Sequence, residues 1–148
     1  MDARTLADET GGPPPILLVE DNPADARLAR EAFREIGLEG AIRHVVDGVE
    51  ALDYLRRCAA EDAWPRLVLL DLNLPRKDGR EVLAEIKADP RMRRLPVIVM
   101  STSVAEQDIQ QCYALHANGF VAKPVDLGHF ERVAEAISLF WLQVAELP

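Results

Sequence analysis

Three short apolar runs in this chain each end in charged chemistry, and that repetition limits the fold more than any other feature. Leu67-Val68-Leu69-Leu70 runs straight into Asp71 and a turn rich in breakers, Asp71-Leu72-Asn73-Leu74-Pro75-Arg76-Lys77-Asp78-Gly79. Ile16-Leu17-Leu18-Val19 runs into Glu20-Asp21-Asn22, and Gly119-Phe120-Val121-Ala122 runs into Lys123-Pro124. Apolar runs of four residues bounded by turn residues read as buried strands, each delivering its last side chains to a loop mouth.

Helical patterns fill the spaces between them. Asn22 is the N-cap of a first helix opening at Pro23, with Ala26, Leu28, Ala29, Ala32, Phe33 and Ile36 at a rough helical period and Gly37 as its stop. A weaker strand over Ala41 to Val46 leads through Asp47-Gly48 into a second helix, with Ala51, Leu52 and Leu55 on one face. A third helix follows Gly79, turns Val82, Leu83 and Ile86 inward and ends before Asp89-Pro90. Val97 to Met100 is a fourth strand, Ala105 to Leu115 a fourth helix, and a fifth helix follows Asp126 as its cap. Five strand–helix units in succession predict an α/β fold: a doubly wound, flavodoxin-like parallel sheet of five strands, order 2-1-3-4-5, with helices on both faces. In such a sheet ligands bind beyond the carboxyl ends of the strands, where Glu20, Asp21, Asp71 and Lys123 all arrive.

Length and charge narrow the functional classes. The 148 residues make one folded unit, expected over 16–148, after a lead-in over 1–15 that ends Gly11-Gly12-Pro13-Pro14-Pro15 and reads as flexible. A net charge of −8, with no basic block, argues against nucleic acid as a partner. The sequence shows no signal peptide, membrane-length apolar run or lipidation motif, so a cytoplasmic protein away from the membrane is expected. Cys58 and Cys112 stand in no metal-ligand spacing and read as reduced structural thiols, and the three histidines are scattered.

The chemistry follows from joint placement. Three carboxylates within a few ångströms repel one another unless a cation sits among them, and an all-oxygen site with few protein ligands suits Mg²⁺ or Mn²⁺. A carboxylate beside such an ion, with an ammonium opposite, can attack a phosphoryl group in line and form an acyl phosphate. Ser101, directly after the fourth strand, adds a hydroxyl at the same sheet edge. Taken singly, each has a bland reading: the acidic pair opens a loop, the serine fills a turn and the lysine is a solvated charge.

Together, Val19-Glu20-Asp21-Asn22, Asp71-Leu72-Asn73-Leu74-Pro75 with Gly79, Ser101, and Lys123-Pro124 resemble the receiver domain of two-component response regulators, over about residues 14 to 142. The resemblance implies that Asp71 is the phosphoacceptor. It also implies that Asp21, Asp71 and the backbone carbonyl of Asn73 bind the metal, with Glu20 assisting through water. Lys123 is implied to pair with Asp71 and then with the phosphoryl group, its bond to Pro124 in the cis form. Ser101 becomes the hydroxyl switch, and Phe120 the aromatic position that turns inward on activation, though Phe120 lacks the hydroxyl of the tyrosine many members carry. Tyr113-Ala114-Leu115-His116-Ala117-Asn118, Lys123-Pro124-Val125-Asp126-Leu127 and Phe140-Trp141 further resemble the single-domain regulators that partner bacterial phytochrome histidine kinases. The expected function is acceptance of a phosphoryl group from such a sensor kinase, in a signalling protein that is not an enzyme.

The chain shows no helix-turn-helix or second domain, so activation is expected to be read by contact, or the chain to drain phosphate as a sink. The fifth helix places Phe130, Ala134, Ile137, Trp141 and Val144 on a heptad-like seam. Leu139, Phe140, Trp141 and Leu142 are consecutive and wrap all its sides, whereas a helix on a sheet has one dry face. A homodimer through this helix, anchored by Phe140 or Trp141, is the expectation, with a self-packed tail as the alternative. A haloacid-dehalogenase-like phosphatase would need a second acid where Asn73 stands, and an FMN-binding flavodoxin would not tolerate Glu20-Asp21 beside its phosphate. A receiver that works without phosphorylation is disfavoured because every acceptor-site residue is present.

Overall fold

Each apolar run expected as a strand is one. The structure, a computed structural model, describes residues 14–148. It contains β1 (Ile16–Val19), β2 (Ile42–Val45), β3 (Leu67–Asp71), β4 (Val97–Ser101) and β5 (Gly119–Ala122). These alternate with α1 (Pro23–Glu35), α2 (Gly48–Glu61), α3 (Gly79–Ala88), α4 (Glu106–Ala114) and α5 (Leu127–Ile137). All pairings are parallel and the order is β2-β1-β3-β4-β5, as expected. The lead-in expected over 1–15 lies outside the described residues as far as 13. Of its last two residues, Pro14 is buried, and the Pro15 carbonyl accepts the N–H groups of Arg66 at 2.7 Å and Leu67 at 3.1 Å.

Two helix starts, those of α1 and α5, are set by the side chains expected to set them. Asn22 Oδ1 accepts the N–H groups of Ala24 and Asp25 at 2.9 and 3.1 Å, so two of the unpaired donors of α1 are satisfied. Asp47 caps α2 and Asp126 caps α5 in the same way, at 2.8 and 2.7 Å. Gly37 leaves α1 at φ 81°, a left-handed conformation that only glycine adopts freely.

Strand alternation divides the core in two. Leu17, Val19, Val68, Leu70, Val97 and Val99 face Leu52, Leu55, Leu83 and Ile86 of α2 and α3. Ile16, Leu18, Leu67, Leu69, Ile98 and Met100 face Ala29, Phe33, Phe130 and Ala134 of α1 and α5. Burying each such large side chain stabilises the fold by about 1.5–3 kcal/mol before chain entropy is set against it. The sheet is therefore held rigidly from both faces, which fixes where its carboxyl-end residues sit. At that end Gly79 allows α3 to start against β3, because a Cβ there would meet the Asp71 carbonyl and lie 2.6 Å from Leu72 Cα.

The chain departs from expectation at two places. The Lys123–Pro124 bond is trans, since no described peptide bond is cis; trans is the form an X–Pro bond favours by about 0.5–1 kcal/mol. The fifth helix also does not continue as one α-helix. After Ile137 the chain widens into a π-helical segment, Ser138–Val144, closed by the Ala145 N–H on the Phe140 carbonyl at 2.7 Å. A π-helix bonds i to i+5, so the seam loses its register. Phe130, Ala134 and Ile137 are buried as expected, Trp141 and Leu142 still touch the core, and Val144 is 60% exposed.

Candidate functional site

Parallel register brings the strand ends together. Val19 is level with Leu70 and Met100 with Val121, so the residues that follow β1 and β5 flank Asp71, the last residue of β3. Lys123 Nζ lies 2.7 Å from Glu20 Oε1, 2.9 Å from Asp25 Oδ2 and 3.5 Å from Asp71 Oδ2. Glu20, Asp21 and Asp71 each offer a carboxylate oxygen, and the three oxygens lie within 4.8 Å of one another. Glu20 and Asp71 are buried and Asp21 is exposed, so the cluster opens to solvent on one side.

This placement controls the charges. Burial pushes the Glu20 carboxyl up; the Lys123 hydrogen bond opposes that and the Asp71 charge adds to it, leaving Glu20 at about 7. Burial pulls the Lys123 ammonium down, but the bonds to Glu20 and Asp25 and the charge of Asp71 outweigh it, so Lys123 stays charged throughout the physiological range. One ammonium thus faces four carboxylates counting Asp21, and the excess negative charge is what a divalent cation would relieve. The donors are hard oxygens throughout, the set that suits Mg²⁺ or Mn²⁺.

The turn after β3 is drawn back onto Asp71, whose Oδ1 accepts the Asn73 N–H at 3.3 Å. That keeps residue 73 at the mouth of the cluster, where its backbone carbonyl was expected to serve. Ser101 is buried at the end of β4 and its carbonyl accepts the Lys123 N–H at 2.9 Å, so the hydroxyl and the ammonium belong to adjacent strand ends. Phe120 is half-buried and packs on the core face shared with α2 and α3. Phe140 and Trp141 belong to the C-terminal segment, not to this cluster. Their rings meet edge to face at 5.0 Å, with Phe140 52% exposed and Trp141 half-buried.

One participant, Asp25, has no counterpart in the sequence analysis, and neither does a contact made by Arg76 outside the cluster. Asp25 sits on the first turn of α1, three residues after its cap, where an acid is ordinary, so its position does not reveal that it pairs with Lys123. Arg76, in the turn after β3, holds a left-handed φ of 65°, and its guanidinium reaches the buried Asp47 at 3.2 Å. No periodicity marks this contact, because Asp47 comes near only in the fold.

Comparison with known proteins identifies the family to which this fold belongs. The family profile of the response regulator receiver domain matches residues 16–135. Response regulator Rcp1 of Synechocystis sp. is 41% identical over 145 residues, covering 97% of this chain and 99% of Rcp1. The crystal structure of the phosphorylated cyanobacterial phytochrome response regulator RcpA superposes with a TM-score of 0.81 at 49% identity, covering 90% of this chain and 96% of RcpA. The Mn²⁺-bound form of Rcp1 gives 0.78 at 42% identity, covering 90% and 97% of the two chains.

Proposed function

The chain belongs to the response regulator receiver domain family, and from that premise we propose that it takes a phosphoryl group onto Asp71 from a sensor histidine kinase of the phytochrome type. The observation that carries the proposal is the cluster itself: three carboxylates within 4.8 Å, with one buried ammonium bonded to two of them. RcpA is a phytochrome response regulator and Rcp1 has a Mn²⁺-bound form, which supports both the kinase class and the metal.

The residues divide the work. Asp21, Asp71 and the Asn73 carbonyl would hold Mg²⁺ or Mn²⁺, with Glu20 assisting through water, and the ion when bound supplies positive charge against the phosphoryl oxygens. An Asp71 carboxylate oxygen attacks phosphorus in line. The P–N bond of the kinase phosphohistidine breaks, its electron pair stays on the imidazole nitrogen, and that nitrogen takes a proton from solvent. Lys123, already bonded to the carboxylates, meets the charge carried by the incoming group. Positioning and charge neutralisation dominate such transfers, because little covalent work is left to the protein. Ser101 closes on the phosphoryl group, and Phe120 follows it inward.

Signalling then depends on contact. Leu139, Phe140 and Val144 expose 58, 52 and 60% of their surface on the C-terminal segment, and a second copy of the chain covers this face in our reading. Among the described residues no helix is long and apolar enough to cross a membrane. Taking phosphoryl groups from an ATP-fed kinase implies a cytoplasmic setting. With a net charge of −8 the chain does not act on nucleic acid, and it turns over no free substrate as an enzyme would.

The test is phosphotransfer. Incubated with an autophosphorylated phytochrome histidine kinase and Mg²⁺, the wild type should drain the label, and Asp71→Asn should take none because an amide is a poor nucleophile. Label transferred equally to both proteins would place the acceptor elsewhere.

A further inference from the structure

The hydroxyl expected to close on the phosphoryl group is engaged elsewhere in this structure. Ser101 Oγ accepts the Ser103 N–H at 3.1 Å, and among the described residues it makes no hydrogen bond to Asp71. Ser103 is itself held. Its hydroxyl donates to Asp108 Oδ2 of α4 at 2.6 Å and accepts the Ala105 N–H at 3.4 Å. The other oxygen of Asp108 accepts Arg80 Nη2 at 3.1 Å. Arg80 belongs to the first turn of α3; its Nε donates to Gln111 of α4 at 2.9 Å, and its Nη1 lies 3.5 Å from Asp78, the residue that caps α3.

A continuous chain of bonds therefore runs from the Ser101 hydroxyl across the turn after β4 into α4, and from there to the start of α3. Four of its links involve an ionised partner, and such bonds are about twice as strong as neutral ones. The Asp108 and Arg80 side chains keep only 20 and 28% of their surface exposed, so solvent competes weakly for them. The Ser103 hydroxyl holds the Asp108 carboxyl below its ordinary value; burial opposes this, and the Arg80 hydrogen bond and charge add to the lowering, so it stays ionised near neutral pH.

We propose that Ser103, Asp108 and Arg80 form a latch that holds the Ser101 hydroxyl in its resting place, and that this latch opens when the hydroxyl moves to a phosphoryl group on Asp71. The proposal rests on the reading of Asp71 as acceptor and Ser101 as the closing hydroxyl. All three are positioning residues, since none reaches the reacting atoms. The latch also gives the switch a route outward: its far ends are α4 and the start of α3, so a change at Ser103 reaches, through Asp108, the Arg80 bond that joins the two helices. A bond that must break on activation lowers the affinity for the activating group, and removing it raises that affinity by the same factor.

Beryllofluoride with Mg²⁺, a phosphoryl mimic that needs no kinase, provides the test, with bound fluoride followed by fluorine NMR. Asp108→Ala should bind it about tenfold more tightly than the wild type, Arg80→Ala should shift the same way, and Asp108→Glu should restore much of the resting affinity. Ser101→Ala should bind more weakly, and adding Asp108→Ala to it should give no gain, because the latch acts only through that hydroxyl. Circular dichroism confirms that each variant is folded, and Asp108→Asn replaces Asp108→Ala if that variant is not. Unchanged or weaker binding in the folded Asp108 variants, or an equal gain without the Ser101 hydroxyl, would overturn the latch while leaving the acceptor reading intact. A wild type that binds no beryllofluoride, or an Asp71→Asn variant that binds it as well, would overturn the acceptor reading and the latch with it.

Discussion

Lys123 is the residue through which the site is assembled before any ligand arrives. It joins carboxylates from β3, from the loop after β1 and from α1. Its partner Glu20 carries the strain of that arrangement, being buried, close to Asp71 and pushed up to about 7. Because the folded value lies above the ordinary 4.5, Glu20 stabilises the metal-free fold in full below about 4.5 and loses that contribution as pH rises through about 7. With a chelator present, unfolding free energy should fall between pH 5 and 8, by on the order of 3 kcal/mol at most. Glu20→Gln should flatten that slope, and Mg²⁺ should reduce it by favouring the ionised carboxylate. Denaturant titrations at several pH values provide the check; a wild-type slope matched by Glu20→Gln would remove Glu20 as its source. Glu20, Asp71 and Lys123 were readable in sequence because each ends an apolar run. Asp25 and Ser103 were not, because their partners come from elements that only the fold brings near.

Among the elements, strands and caps were the most legible. A buried parallel strand is apolar on both faces and so stands out as an unbroken run, and Asn22, Asp47 and Asp126 are cap residues by their chemistry. The C-terminal segment was the least legible. An apolar stripe does not reveal whether the backbone bonds i to i+4 or to i+5, and the change after Ile137 moved Val144 off the expected seam. It also sorted the two aromatics, turning Trp141 toward the core and Phe140 outward. Trp141→Glu should therefore lose fold stability, by about 3 kcal/mol, since truncating a buried aromatic costs 3–5 kcal/mol and Trp141 is half-buried. Phe140→Glu should stay within about 0.5 kcal/mol of the wild type in stability yet shift the protein toward monomer. Thermal melts with analytical ultracentrifugation separate the two outcomes. A wild type that stays monomeric at high micromolar concentration, phosphorylated or not, would show that no second copy covers Phe140.

For the whole molecule, the sheet order turns sequence fragments into a site. Residues 20, 71 and 123 are far apart along the chain, and the order β2-β1-β3-β4-β5 sets their strands at one edge of the same rigid sheet. A cation that binds this assembled cluster and not the unfolded chain must stabilise the fold. At 100 times its dissociation constant, Mg²⁺ should add about 2.7 kcal/mol. Asp21→Ala should lose most of that response and, by relieving repulsion, raise the stability of the metal-free protein. A full Mg²⁺ response in Asp21→Ala would mean that the ion binds elsewhere. The acceptor itself can be located by phosphorylating the wild-type protein with a kinase or acetyl phosphate, reducing the acyl phosphate with borohydride and mapping the altered residue by mass spectrometry. The modification should fall on Asp71 alone and should disappear when Mg²⁺ is chelated; modification of any other residue, or at Asp71 without a divalent ion, would contradict the site described here.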